Sequence, residues 1–264
     1  LMSSITGDEI VEISGIVNGT TNYMLTKMTN EGLAFDDVLK EAQAKGYAEK
    51  DPTADVEGYD ACRKIAILTS LVCGQQVNYE DIHTEGITKI TPIDIMYAKE
   101  MGRAIKLLAM SRQTAGGYVA MVAPFLIPKE HPLYNVNDVF NAIFVKGNML
   151  GDSMFYGSGA GKLPTASAVV GDIVDIVKHI HTHIILNWDA EPVKLADYKT
   201  NETRFFVRTK ASKEEVSRTF GSVEFVDIEE LADEIGFVTA TMSEAAYEEK
   251  AAQLSSVLQM IRFN

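Results

Sequence analysis

The segment from residue 42 to residue 64 constrains this chain more than any other. Gly46, Pro52 and Gly58 follow one another closely there, so the backbone is broken by turns rather than carried through one long helix. Around these breakers stand Glu49, Asp51, Asp55, Glu57, Asp60 and Lys64. Asp60 and Lys64 are four residues apart and share one face of a helix. Glu49 and Asp55 fall in the irregular stretch leading into it, where loop side chains converge on ligands. Carboxylates beside an ammonium make a pocket for an amino-acid zwitterion and for a proton transfer. Taken alone, the Asp60–Lys64 pair reads instead as an exposed ion pair worth a few tenths of a kcal/mol.

The rest of the chain alternates strand and helix patterns. Ile10 to Ile16 reads as a strand. Asn18 to Thr20 reads as a cap, followed by a helix over about 21–30 with Gly32 beyond its end. An amphipathic helix over 35–45 ends at Gly46. Asp55 suits the N-cap of a further helix running to Gly74. Residues 94–112 carry a long helical pattern that Gly102 weakens. A strand over 118–127, a hairpin over 139–156 turning at Gly147-Asn148, and a helix over about 164–181 follow. After Trp188 the composition turns polar, and 189–203 reads as a linker. Residues 204–264 then give strand, helix, strand, strand, helix, strand, a ferredoxin-like order. The expected fold class is therefore α+β, with a mixed β-sheet covered by helices over 1–190 and a small βαββαβ unit over 204–264.

Composition narrows the function classes. The chain has 264 residues, 46% of them hydrophobic, ample for a large core. No run approaches the roughly 20 apolar residues of a membrane span, and there is no secretory leader at the start. Cys62 and Cys73 fall within one helical pattern, which argues against a disulfide framework and for a reducing cytoplasm. A net charge of −13 speaks against a nucleic-acid partner. His179, His181 and His183 alternate, but no cysteine or carboxylate completes a familiar metal spacing, so no metal site is expected. Gly157, Gly159 and Gly161 before a helix resemble a phosphate-cradling turn, although they open no βαβ unit.

Gly46-Tyr47-Ala48-Glu49, then Asp51-Pro52, Asp55-Val56, Gly58, Asp60 and Lys64 resemble the signature of the homoserine dehydrogenases in identity and spacing. Residues 15–23, from Gly15 through Asn18-Gly19-Thr20 to Tyr23, agree with that family. So do Tyr156 to Gly161 and Pro164 to Ser167. The resemblance covers roughly residues 1–186. It implies NAD(P)-dependent interconversion of L-homoserine and L-aspartate 4-semialdehyde, in threonine, methionine and isoleucine synthesis. It assigns the proton transfer to Lys64 and the amino-group contacts to Glu49 and Asp60. An ordinary ammonium holds its proton at neutral pH, so a lysine can donate to the developing alkoxide and must lose that proton before oxidation, which predicts faster oxidation at alkaline pH. Asp55 reads as substrate positioning or helix capping, and Thr20 as a substrate neighbour. Gly46 is expected close to the cofactor and Gly161 near its nicotinamide end.

The same resemblance implies that NADP or NAD is bound mainly by a Rossmann domain upstream of Leu1, with a monovalent cation held in a loop just before it. No Gly-x-Gly-x-x-Gly follows a strand near the start of this chain. The 264 residues by themselves are expected to fold but to bind dinucleotide poorly. A homodimer or higher homo-oligomer is implied, and an ACT-like identity for the tail. The turn Lys210 to Glu214 lacks the Asp-x-x-Pro-Gly-like sequence that approaches a bound amino acid in many ACT domains. Two rival readings stand beside this one. The first is a dehydrogenase of the same architecture acting on another amino-acid semialdehyde. The second is a non-enzymatic amino-acid-binding or oligomerisation module.

Overall fold

A computed structural model describes residues 4–185 and 188–264. One mixed sheet organises the molecule. Its strands run in the order Glu224–Val226, Ile235–Val238, Phe205–Thr209, Gln259–Phe263, Gly117–Pro128, Arg103–Thr114, Ile10–Ile16, Phe140–Gly147, Asp152–Ser158. Neighbours are antiparallel except at two places. Gln259–Phe263 and the short His83–Thr84 both lie parallel to Gly117–Pro128, on consecutive stretches of the same edge.

The helices are α1 (Gly19–Glu31), α2 (Phe35–Ala44), α3 (Thr53–Val56), α4 (Tyr59–Cys73), α5 (Pro92–Glu100), α6 (Lys162–Lys178), α7 (Lys213–Phe220) and α8 (Glu244–Ala251). Asn18 caps α1, its side chain accepting from the Thr21 amide, and Gly32 ends it in the left-handed conformation. Cys62 and Cys73 both lie on α4 and neither is bridged.

Three expectations are corrected. Residues 94–112 are not one helix: α5 stops at Glu100, Gly102 takes φ +66°, and Arg103 begins a strand. The apolar run misleads because that strand is covered on both faces. Ile105, Leu107 and Ala109 enter one core, while Leu108 and Met110 enter the other, so no polar alternation survives. Asp55 does not cap the long helix. It lies inside α3, and Gly58 at φ +83° separates α3 from α4. The stretch 189–203 is not a featureless linker. Asp189–Pro192 pairs in parallel with Gln75–Gln76, and Glu202–Thr203 pairs with Met242–Ser243.

The tail's strands follow the βαββαβ order antiparallel throughout, with α7 and α8 on one face. Phe205, Val207 and Phe237 pack against those helices. Their neighbours Phe206, Val238 and Ile261 point the other way into the main core, where α5 presents Tyr97. Gly236 permits that contact, since a Cβ there would stand 2.5 Å from the Tyr97 ring. The tail is thus built into the same sheet and the same core as the rest.

Helix α6 contrasts with the others. Leu163, Val169, Val170, Ile173, Ile176 and Val177 are all exposed on it, and no residue of α6 is buried. Among the described residues no helix is long and apolar enough to cross a membrane.

Candidate active site

The start of α1, the α2–α3 loop, α4, Val139, Asn141 and the turn Gly159–Gly161 enclose a cleft of about 500 Å³. It is lined by Thr20, Gly46, Asp55, Asp60, Lys64 and Gly161, six of the seven site residues expected from the sequence. Glu49 is exposed and does not line it; its backbone carbonyl accepts from Gln43 instead.

Asn18 organises the cleft. Its Oδ1 caps α1, and its Nδ2 donates to Asp55 Oδ1 at 2.7 Å and to Asp60 Oδ2 at 3.0 Å. An amide nitrogen carries two N–H bonds, so Asn18 spends one on each acid and holds them side by side. Asp60 Oδ2 also accepts from Lys64 Nζ at 2.7 Å, and Lys64 donates further to the Val17 carbonyl at 2.9 Å. An ammonium has three N–H bonds; the third has no protein acceptor among the described residues. Asp55 Oδ2 and Asp60 Oδ1 likewise accept no protein hydrogen bond among them. The site therefore offers one free N–H and two free carboxylate oxygens within a single cleft. The Asp60 and Lys64 side chains remain 32% and 46% exposed, so a ligand reaches them.

Backbone geometry sets this arrangement. The left-handed Gly58 turns the chain between α3 and α4, which brings Asp55 and Asp60 to the same amide. At the opposite wall Thr20 Oγ1 donates to the Tyr47 carbonyl at 2.6 Å, pinning the Gly46–Tyr47 turn to α1. Gly46 takes φ +74° and a Cβ would meet nothing within 4 Å, so its glycine answers to backbone conformation rather than to crowding.

Asn18, Asn141 and Lys45 went unassigned in the sequence. Asn18 showed only its capping role, because nothing local says where the amide nitrogen of a cap will point. Asn141 lies between Gly19 and Gly159, and its buried Oδ1 has no partner. Lys45 lines the cleft while bonding Glu41 at 2.5 Å. That ammonium, together with the Tyr23 hydroxyl, holds the Glu41 carboxyl down to about 2.

A second hollow of about 440 Å³ adjoins the cleft and shares Lys64, Asn141 and Gly159 with it. Val17, Ile67, Leu68, Ile143, Phe155 and Tyr156 make it mainly apolar. Lys64 thus stands where a polar pocket meets an apolar groove.

The homoserine dehydrogenase family model matches residues 1–174. The chain belongs to the homoserine dehydrogenase family. A homoserine dehydrogenase of Synechocystis sp. is 52% identical over 181 residues, covering 67% of this chain and 42% of the relative. The matched stretch spans between 41% and 52% of the length of such curated relatives. The crystal structure of a homoserine dehydrogenase from Thiobacillus denitrificans superposes with a TM-score of 0.90 at 34% identity. That match covers 99% of this chain, tail included, and 66% of that one. A hyperthermophilic archaeal homoserine dehydrogenase in complex with NADPH matches 66% of this chain and 49% of its own, with a TM-score of 0.56 at 32% identity.

Proposed function

We propose that this chain is the substrate-binding portion of a homoserine dehydrogenase that interconverts L-homoserine and L-aspartate 4-semialdehyde with NAD or NADP. The observation that carries the reading is the free N–H of Lys64 beside the free oxygens of Asp55 and Asp60 in one cleft. A substrate with an α-ammonium and a terminal oxygen matches that set. Asp60 and Asp55 take the ammonium. Glu49, exposed in the loop between α2 and α3, is a further candidate contact for that ammonium. Lys64 gives its proton to the C4 oxygen as the semialdehyde is reduced and takes one from the hydroxyl in the reverse direction. Thr20 keeps the Gly46–Tyr47 wall in place.

The residues present fit the ring end of a nicotinamide cofactor. The apolar groove meets the polar cleft at Lys64, and Gly46 and Gly161 border the cleft without side chains of their own. A nicotinamide held there would supply or accept the hydride, with the apolar groove against its ring and Lys64 handling the proton. The bulk of the dinucleotide, and a monovalent cation, fall to the longer protein. The bare apolar surface of α6 needs cover that the described residues do not provide, which supports a longer protein or a further subunit packed there.

We extend the reading to a cytoplasmic biosynthetic enzyme that assembles as a homodimer or larger oligomer, with an ACT-like tail. The antiparallel βαββαβ order of residues 205–263 supports the last point. Light scattering of the full-length protein tests the assembly, and threonine titration tests the tail. The reaction is tested by homoserine oxidation at alkaline pH in the full-length protein, with NAD and with NADP, against a panel of hydroxy amino acids. Preferential oxidation of L-homoserine is expected. Oxidation of a different member would move the assignment to a related dehydrogenase, and no turnover of any would move it to a binding module.

A further inference from the structure

Arg262 lies on the last strand of the tail and is 2% exposed. Its Nη1 and Nη2 donate to the two carboxylate oxygens of Glu85 at 3.0 and 2.7 Å. Its Nε and Nη2 donate to those of Glu244, the first residue of α8, at 2.5 and 3.0 Å. Four of the five N–H bonds of a guanidinium are thereby committed to two carboxylates, one in the tail and one in the main body. Glu85 is also bonded by His83 Nε2 at 2.6 Å, and its own amide donates to the Val122 carbonyl at 2.7 Å.

The residues after Glu85 lie directly under the acidic corner of the cleft. Ile87 donates its amide to the Val56 carbonyl at 2.8 Å. Gly86 comes so close that a Cβ would stand 2.1 Å from that carbonyl oxygen and 2.4 Å from Glu57 Cα. A Cβ on Gly58 would in turn meet the Glu85 carbonyl at 3.4 Å. The turn that sets Asp55 and Asp60 against Asn18 therefore rests on residues 85–87, and that seat is clamped from below by a guanidinium of the tail. Packed backbone with no slack transmits a displacement of its support.

We propose that Arg262 is a positioning residue for substrate binding: through Glu85 it holds the seat of the α3–α4 corner, so that the tail sets the geometry of Asp55 and Asp60. This rests on reading those two acids as substrate-binding groups. The tail is then a working part of the substrate site in this chain, whether or not it carries an effector. Arg208, the other buried guanidinium of the seam, is the internal control. It joins the tail to Asp94 and Thr91 at the start of α5, is held within the tail by Glu234, and bonds no residue of the 85–87 seat.

The experiment uses the full-length protein with Arg262→Met, Glu85→Gln and Arg208→Met. Hydrogen exchange over residues 53–60 and 87 is read in all of them, along with KM for L-homoserine and for the dinucleotide. Arg262→Met is expected to lower protection there at least tenfold and to raise KM for L-homoserine tenfold or more, with the dinucleotide KM within twofold. Glu85→Gln keeps the volume and serves if Arg262→Met does not fold; it should move the same readouts in the same direction, less far. Arg208→Met should lose comparable thermal stability while leaving both unchanged. Equal shifts in Arg208→Met and the Glu85–Arg262 variants, or no shift in the latter, would overturn the proposal. Exchange reports on the corner without any turnover, so a wild type that fails to oxidise homoserine would count against the reaction and not against the clamp.

Discussion

Two clusters of carboxylates and cations in this molecule use the same groups to opposite ends. In the cleft, Asn18 joins Asp55 to Asp60 and Asp60 bonds Lys64, with bonds left over and the Asp60 and Lys64 side chains about a third to a half exposed. In the seam between tail and body, the Arg208 and Arg262 side chains are 6% and 3% exposed, and Arg208 gives three N–H bonds to carboxylates and Arg262 four. An exposed pair of the first kind contributes about 0.3–0.5 kcal/mol. A buried pair of the second kind costs several kcal/mol to break, because the survivor is left charged and dry. The difference teaches that unfinished hydrogen bonding, rather than the presence of an ion pair, is what singles out the candidate site.

Lys64→Ala tests that distinction most sharply. Loss of a general acid and base lowers kcat by roughly 10²–10⁴-fold, and thermal stability should barely change. A stability loss to match the activity loss would make Lys64 a structural residue like those of the seam. Arg208→Met should do the reverse, costing about 3–5 kcal/mol by stranding Asp94 and Glu234. Chemical denaturation measures this, and a cost below about 1 kcal/mol would put the seam in the exposed class.

Asp60→Asn probes the cleft from the acid side. Stability should change by no more than about 0.5 kcal/mol, while KM for L-homoserine rises roughly tenfold to a hundredfold as one charged hydrogen bond is lost. An unchanged KM would remove Asp60 from the binding set.

A third ion, Lys106, is buried with neutral acceptors only: the Val136 carbonyl and the side chains of Asn137 and Asn22. Burial pushes its pKa down to about 8, against about 10.4 for a lysine in the unfolded chain. Below pH 8 both states are protonated and the cost of the buried charge stands in full. Between about 8 and 10.4 only the unfolded chain holds the proton, so rising pH favours the fold. Wild type should therefore gain stability relative to Lys106→Met across that window. Parallel pH profiles in denaturation experiments would refute it.

Local order determined much of this protein. The alternation of Ile10 to Ile16, the Asn18 and Gly32 caps of α1, the stop near Gly46 and the six elements of the tail are set by neighbours a few residues apart, and the structure has them where the pattern put them. The i,i+4 pairing of Asp60 and Lys64 is of the same kind. Other features depend on partners far away in the chain. A strand covered on both faces looks like a buried helix until the two cores exist, which is why Arg103–Thr114 was hidden. The reach of Asn18 to Asp55 spans 37 residues, and the clamp of Arg262 on Glu85 spans 177. Only tertiary structure could decide those, since a side chain's partner is chosen by which backbones the packed core brings within about 3 Å, and no short-range pattern carries that information.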